Sequence, residues 1–218
     1  MDEITNLLKS YHTDVFEKFG PTAKGVDWND ECEMLVRYDK MLRVLDKDFY
    51  KPDGKPSLVD VGCGWGGLYK RASDMGVDVA YTGIDVAENM VSYASQSFPD
   101  AVFHVQDIFD LPDEELYDFA VCNAILTQKH QVSIPAMENF AKRLVSKMFT
   151  VARHGIAFNL MSTRVNFMVD NLYYHNPVEM LAWVLSELSP RVRMDHGYSS
   201  LVNGRGKFFD YTVYVYKR

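Results

Sequence analysis

Ser57-Leu58-Val59-Asp60-Val61-Gly62-Cys63-Gly64-Trp65-Gly66-Gly67-Leu68 decides how the rest of the chain is read. Leu58 to Val61 reads as a buried strand, and a glycine-rich turn follows it directly. Two patterns fit that turn. Gly62, Gly64 and Gly67 satisfy G-x-G-x-x-G, whereas Asp60, Gly62, Gly64 and Gly66 satisfy D-x-G-x-G-x-G. In either case glycine permits a sharp turn and a close approach to the backbone. The helix that follows opens with unpaired N–H groups. The two patterns differ in the acid at position 60, and the rest of the chain has to arbitrate.

Working outward from this loop, strands alternate with helices. Gly67 to Met75 reads as a helix stopped by Gly76, Val77 to Ile84 as a strand, and Ala87 to Phe98 as a helix ended by Pro99. Ala101 to Val105 and Asp118 to Asn123 are further strands. Pro135 to Arg153 is a long helix with Ser133 as its cap, and Gly155 to Leu160 is a fifth strand. Asn176-Pro177 starts another helix, which runs through Leu188. This alternation means parallel βαβ units covered on both faces. The C-terminal part breaks the pattern. Val192 to Tyr198 and Phe208 to Tyr216 have no helix between them, only a loop with Asn203-Gly204, so the sheet is expected to finish with an antiparallel strand. Upstream of the loop, residues 1–18 and about 30–46 carry helical apolar stripes. Gly20-Pro21 breaks them apart, and Lys51 to Pro56 is a turn.

Bulk properties narrow the function. The 218 residues suffice for one domain with a full core, and the 47% apolar content is ordinary for a globular chain. A net charge of −7 gives no general attraction for phosphate polymers, so a nucleic-acid partner is not expected. Cys32, Cys63 and Cys122 are far apart, which points away from a zinc or iron–sulfur site and toward reduced thiols. No metal is expected. The N-terminus lacks the basic start and apolar core of a signal peptide, and no apolar run nears 18 residues, so the expected location is cytoplasmic, with no membrane partner. Oligomeric state is not encoded legibly.

Three residues arbitrate between the glycine patterns. Asp60 occupies a position that is normally apolar in the dinucleotide fingerprint, and a carboxylate there suits a ligand bearing an ammonium group. Asp85 ends the second strand, where it can accept from both hydroxyls of a ribose, with Val86 beside it. Asp107 follows the third strand, where it can accept from an adenine amino group while Ile108 packs on the ring. Together, Asp60-Val61-Gly62-Cys63-Gly64-Trp65-Gly66, Asp85, Asp107-Ile108 and Asp118-Phe119-Ala120-Val121-Cys122-Asn123 resemble a class I, Rossmann-like S-adenosyl-L-methionine (SAM)-dependent methyltransferase of the small-molecule type. The resemblance is specific over roughly residues 56 to 126.

The resemblance implies an α/β fold, a seven-stranded, mostly parallel sheet flanked by helices with the last strand antiparallel. It implies one domain over 1–218, with 1–50 closing over the cofactor site. It also implies SAM as cofactor and S-adenosylhomocysteine (SAH) as product. Asp60, Gly62, Cys63, Gly64, Asp85, Val86, Asp107, Ile108 and Asn123 then line the cofactor. Gly25-Val26-Asp27-Trp28 and Arg37 resemble a pattern in which an arginine before the first strand meets the cofactor carboxylate, which adds Trp28 and Arg37. On the acceptor side His130, Tyr173 and His175 lead the catalytic candidates, ahead of Arg164, Tyr174 and His196. His130 follows the fourth strand and the 171–175 run follows the fifth. After the fourth strand, Asn123-Ala124-Ile125-Leu126 lacks the prolines and aromatic residue of DNA amino-methyltransferases. The expected acceptor is therefore a hydroxyl or amine of a small polar molecule, a sugar or secondary metabolite. The alternatives are an NAD(P)-dependent oxidoreductase and a non-catalytic SAM-binding subunit.

Overall fold

Side chains alternate across a strand, so a strand apolar at every position is buried on both faces. The computed structural model, which describes residues 2–28, 30–46, 54–197 and 209–217, realises this. Its strands are β1 (Ser57–Val61), β2 (Ala80–Asp85), β3 (Val102–Val105), β4 (Tyr117–Cys122), β5 (Ala152–Ser162), β6 (Tyr174–His175), β7 (Val192–Asp195) and β8 (Asp210–Tyr216). The helices are α1 (Glu3–Phe19), α2 (Glu31–Leu42), α3 (Gly67–Asp74), α4 (Glu88–Ser97), α5 (Ile134–Val151) and α6 (Pro177–Glu187). The sheet order is β3-β2-β1-β4-β5-β8-β7. All neighbours from β3 to β5 are parallel, and β8 runs antiparallel between β5 and β7, with Ile156 opposite Val215. The expected class I methyltransferase architecture is therefore present.

Val59, Val61, Ala120, Cys122, Ile156 and Phe158 point to one face, where α5 presents Met137, Phe140, Ala141, Leu144 and Met148. Leu58, Phe119, Val121, Ala157 and Tyr214 point to the other, against Met34, Met41 and Leu68 of α2 and α3. The caps fall where the sequence puts them. Ser133 Oγ accepts from the Ala136 N–H at 3.3 Å, and Asn176 Oδ1 accepts from Val178 at 3.0 Å.

Two elements differ from expectation. β5 leaves α5 without a loop, because the backbone is already extended at Ala152 (φ −93°, ψ 134°). The two-residue β6 adds an eighth strand, pairing Met161 with Tyr174 along the edge of β5 left open where β4 ends. The Asn203-Gly204 loop and residues 51–53 lie outside the described residues. No helix among the described residues is long and apolar enough to cross a membrane.

A buried polar chain crosses this apolar frame. Arg37 Nε on α2 donates to Asp210 Oδ2 on β8 at 2.5 Å, with the two side chains 4% and 1% exposed. Asn159 Nδ2 on β5 reaches the same oxygen at 3.5 Å, and Asn159 Oδ1 accepts from the Ala124 N–H at 2.8 Å.

Candidate active site

Strand order reverses between β1 and β4. The loops leaving them diverge, and in α/β sheets that crevice is where ligands bind. Here it is a cleft enclosing about 990 Å³ of non-atom space, its open mouth included. Gly62 to Gly64 follow β1, Asp85 and Val86 follow β2, Asp107 and Ile108 follow β3, and Asn123 to Ile125 follow β4. Each set lines the cleft. Thr5, Leu8, Lys9 and His12 of α1, with Val26 and Trp28, line it as well.

The glycine loop discriminates between its two readings by where its amides point. A pyrophosphate site leaves loop N–H groups free for the anion. In this loop Gly62 and Cys63 donate to the Ile84 carbonyl at 2.8 and 3.1 Å, Gly64 donates to Asp85 Oδ2 at 2.9 Å, and Gly66 donates to the Cys63 carbonyl at 3.0 Å. These four donors are spent within the protein, and the cleft wall they build carries carboxylates. The glycines are needed for the path itself. Gly62, Gly64 and Gly66 have φ of 74°, 54° and 85°, a region that favours glycine. A Cβ on Gly62 would also meet Ile125 Cδ1 at 2.4 Å.

Three carboxylates line the cleft. Asp60 is buried and accepts from the Tyr81 hydroxyl at 2.5 Å. Burial pushes its pKa up to about 7, the Tyr81 hydrogen bond opposes that rise, and the nearby Asp85 charge adds to it. Asp85 takes Gly64 N–H on one oxygen and Ala87 N–H on the other, at 2.9 and 2.8 Å. A carboxylate has about four acceptor positions, so each oxygen keeps one for a ligand hydroxyl. Burial raises its pKa, and these backbone bonds oppose the rise. Asp107 Oδ1 accepts from Phe109 N–H at 3.1 Å, while Oδ2 is buried with no partner. Burial raises this group too. Asn123 Oδ1 is likewise buried and unpartnered. Buried polar atoms without partners are rare in native structures. Two of them on one cleft wall mark where a ligand supplies the missing donors.

Arg37 does not follow expectation. It is absent from the cleft wall, because Asp210 holds its guanidinium, which stacks 3.9 Å from the Trp28 ring centroid. Trp28 is the residue of that pair facing the cleft. Tyr173 and His175 are corrected in the same way. Pairing of β6 with β5 draws His175 into the core, and Tyr173 just before it is held by its amide on the Thr127 carbonyl at 2.8 Å; the two are 6% and 1% exposed, and neither lines the cleft. His175 Nδ1 sits 2.9 Å from the Asn176 carbonyl oxygen and 3.3 Å from the Tyr211 hydroxyl, and burial lowers its pKa.

His130 stands behind the cleft wall, its ring centroid 4.3 Å from that of Tyr11, with Nε2 buried and unpartnered. His12, Asp27, Gln128 and Tyr11 gather beside it. Gln128 Nε2 donates to Asp27 Oδ2 at 2.6 Å. Of these residues only His130 was a candidate, because the others come from separate segments with no shared spacing.

Residues 58–154 match the family model described as a methyltransferase domain. Malonyl-[acyl-carrier protein] O-methyltransferase of Acetivibrio thermocellus is 34% identical over 49% of this chain, a match that takes in 37% of that protein. Among solved structures, magnesium protoporphyrin IX methyltransferase from Synechocystis PCC 6803 with bound SAH superposes with a TM-score of 0.67 at 15% identity, covering 99% of this chain and 100% of that one. The Burkholderia thailandensis 1,6-didemethyltoxoflavin-N1-methyltransferase superposes with a TM-score of 0.64 at 15% identity, over 100% and 91% of the two chains. The chain thus carries a match to a methyltransferase domain over residues 58–154, on the fold of class I methyltransferases.

Proposed function

We propose that the protein methylates a hydroxyl or amine of a small polar molecule, of the sugar or secondary-metabolite kind, by in-line displacement. Bound SAM supplies a methyl group on a cationic sulfur that leaves as a neutral thioether. The protein's task is to hold and align the reactants and to exclude water, which supplies about 7–11 kcal/mol in favourable cases. Asp85 takes the ribose hydroxyls, Asp107 the adenine amino group against Ile108, and Asp60 the ammonium. Gly62, Cys63, Gly64, Val86 and Trp28 shape the wall. Residues 1–50 belong to the same domain and cover the cofactor through α1 and Trp28. Arg37 acts through Trp28, and His130 acts from behind the wall, beside His12.

The observation that carries this reading is the orphaned Asn123 Oδ1 at the β4 end of the cleft. Oδ1 can only accept, so a group bringing an N–H or O–H donor satisfies it. The small cleft fits such an acceptor better than a macromolecule, and the cited solved relatives act on magnesium protoporphyrin IX and on 1,6-didemethyltoxoflavin. The test is SAH release from SAM with a panel of small alcohols, sugars and amines, set against proteins and DNA. Turnover confined to the small acceptors is expected. Turnover confined to DNA or protein contradicts the reading.

Asp60 adds a pH dependence. Pairing with an ammonium needs the carboxylate, which is half protonated near pH 7 in the empty cleft. The binding-competent fraction falls as pH drops through that value, so SAM affinity weakens by about tenfold from pH 8 to pH 6. Asp60→Asn flattens the profile. Calorimetric titration at the two pH values checks this, and an unchanged wild-type affinity removes Asp60 from the ammonium.

A further inference from the structure

We propose that His12 is the general base that removes the acceptor's proton, and that Asp27 is the residue that positions it. The proposal rests on the methyl-transfer reading above and adds two residues to it. Of the six histidines, His12 alone lines the cleft. It reaches the wall from α1, one helical turn from Lys9, which lines the same cleft. The titratable groups around it are Asp27 from the segment before α2, His130 from the loop after β4, and Tyr11 and Lys9 from its own helix. Asp27 is anchored by Gln128 at 2.6 Å, and Tyr11 acts on it electrostatically. The carboxylate that acts on His12 is therefore held in place by a side chain from the loop after β4.

Backbone strain marks the same place independently. Among the described residues, three non-glycine residues have positive φ: Asp27 at 61°, Ala124 at 72° and His130 at 48°. L-residues avoid this region, and such strain persists where the surroundings over-determine it, often at functional sites. Asp27 and His130 are the two charged or titratable groups acting on His12 from other elements, and Ala124 is on the cleft wall. Two segments distant in sequence, the turn before α2 and the loop after β4, thus bring strained backbone to His12 through Asp27 and His130.

Burial lowers the His12 pKa to about 4, with Asp27 pulling it up and His130 pulling it down. The imidazole is neutral at physiological pH and has a nitrogen lone pair available. Its neighbour Tyr11 is pushed up to about 12, chiefly by burial and then by Asp27, so it does not compete for the proton. In the step, the acceptor oxygen or nitrogen forms its bond to the methyl carbon as the carbon–sulfur bond breaks, and that electron pair stays on sulfur. The proton of the acceptor passes to a His12 ring nitrogen, Asp27 stabilises the imidazolium, and the proton then leaves to water.

Two measurements on the full chain test this. The first follows the His12 ring by NMR titration of the SAH-bound protein, without any acceptor. Asp27→Asn removes the charge but suits the left-handed backbone at that position, so the fold persists. The expected result is a His12 midpoint well below that of free histidine, moved further down in Asp27→Asn. An unmoved midpoint overturns the pairing. The second measures kcat with the most active acceptor of the panel. His12→Gln is expected to lose a factor of about 100 or more and to flatten the acid limb of the pH profile, with SAM affinity within about threefold of wild type on the same reasoning. A kcat within threefold of wild type overturns His12 as base while leaving methyl transfer standing. Absence of SAH release from every acceptor overturns the methyl-transfer reading and this proposal with it.

Discussion

Asp85→Ala is expected to weaken SAM binding by at least about 100-fold while the chain still folds. The carboxylate ends β2, and each of its oxygens is already oriented by one backbone N–H, from Gly64 and from Ala87. The acceptor position left on each oxygen suits one ribose hydroxyl. Hydrogen bonds to a charged group are worth about 1.5–3 kcal/mol each. Loss of two exceeds the ~2.7 kcal/mol that corresponds to 100-fold. The substitution also leaves the Gly64 and Ala87 amides without their acceptor, at a stability cost of about 1–3 kcal/mol, which a thermal melt separates from the binding loss. A folded Asp85→Ala protein that binds SAM within threefold of wild type would remove Asp85 from the site.

The second large effect is on stability. Asp210→Ala removes the nearest carboxylate of the buried Arg37 guanidinium, in a place where the two side chains are 4% and 1% exposed, and leaves Glu33, whose carboxylate is 3.9 Å away. Breaking a buried pair by removing one partner typically costs about 3–5 kcal/mol, or a fall in Tm on the order of 10 °C for a chain of this size. The loss should reach the cleft from both ends of the polar chain. Arg37 stacks on Trp28, which lines the cleft, and Asn159, beside Asp210, holds the Ala124 amide on the opposite side of that chain. SAM affinity is therefore expected to fall as well. Replacing both partners with apolar residues of similar size should recover much of the stability, since a buried pair is not intrinsically superior to good packing. A single-variant melt within 2 °C of wild type, on the same scale, would contradict the role assigned to the pair.

The cleft wall formed by the ends of β1 to β4 was legible because its residues sit within one contiguous run. A strand's C-terminal end projects its residues toward the crevice, so the presence of Asp60, Asp85, Asp107 and Asn123 on that wall follows from locating β1 to β4. The acceptor half was not legible in the same way. His12, Asp27 and Gln128 belong to α1, a turn before α2 and the loop after β4, and only packing brings them together. Arg37 looked like a cofactor contact because its partner, Asp210, lies 173 residues away on β8. Tyr173 and His175 looked catalytic because a two-residue strand has no periodicity to reveal it, and it is β6 that takes His175 into the core while the Thr127 carbonyl holds Tyr173. The helix caps at Ser133 and Asn176 show the opposite case, in which a local signal coincided with the tertiary outcome.

Calorimetric and thermal-shift titration of the purified chain with SAM, SAH, NAD+ and NADP+ tests the central claim most directly. A ligand that binds only the folded state raises the melting temperature. The glycine loop spends the amides of Gly62, Cys63, Gly64 and Gly66 on Ile84, Asp85 and Cys63 and sets carboxylates beside them. The expected result is stabilisation by SAM and SAH alone. Stabilisation by a nicotinamide nucleotide alone would mean that the loop cradles a pyrophosphate after all, and would contradict the account from Asp60 outward.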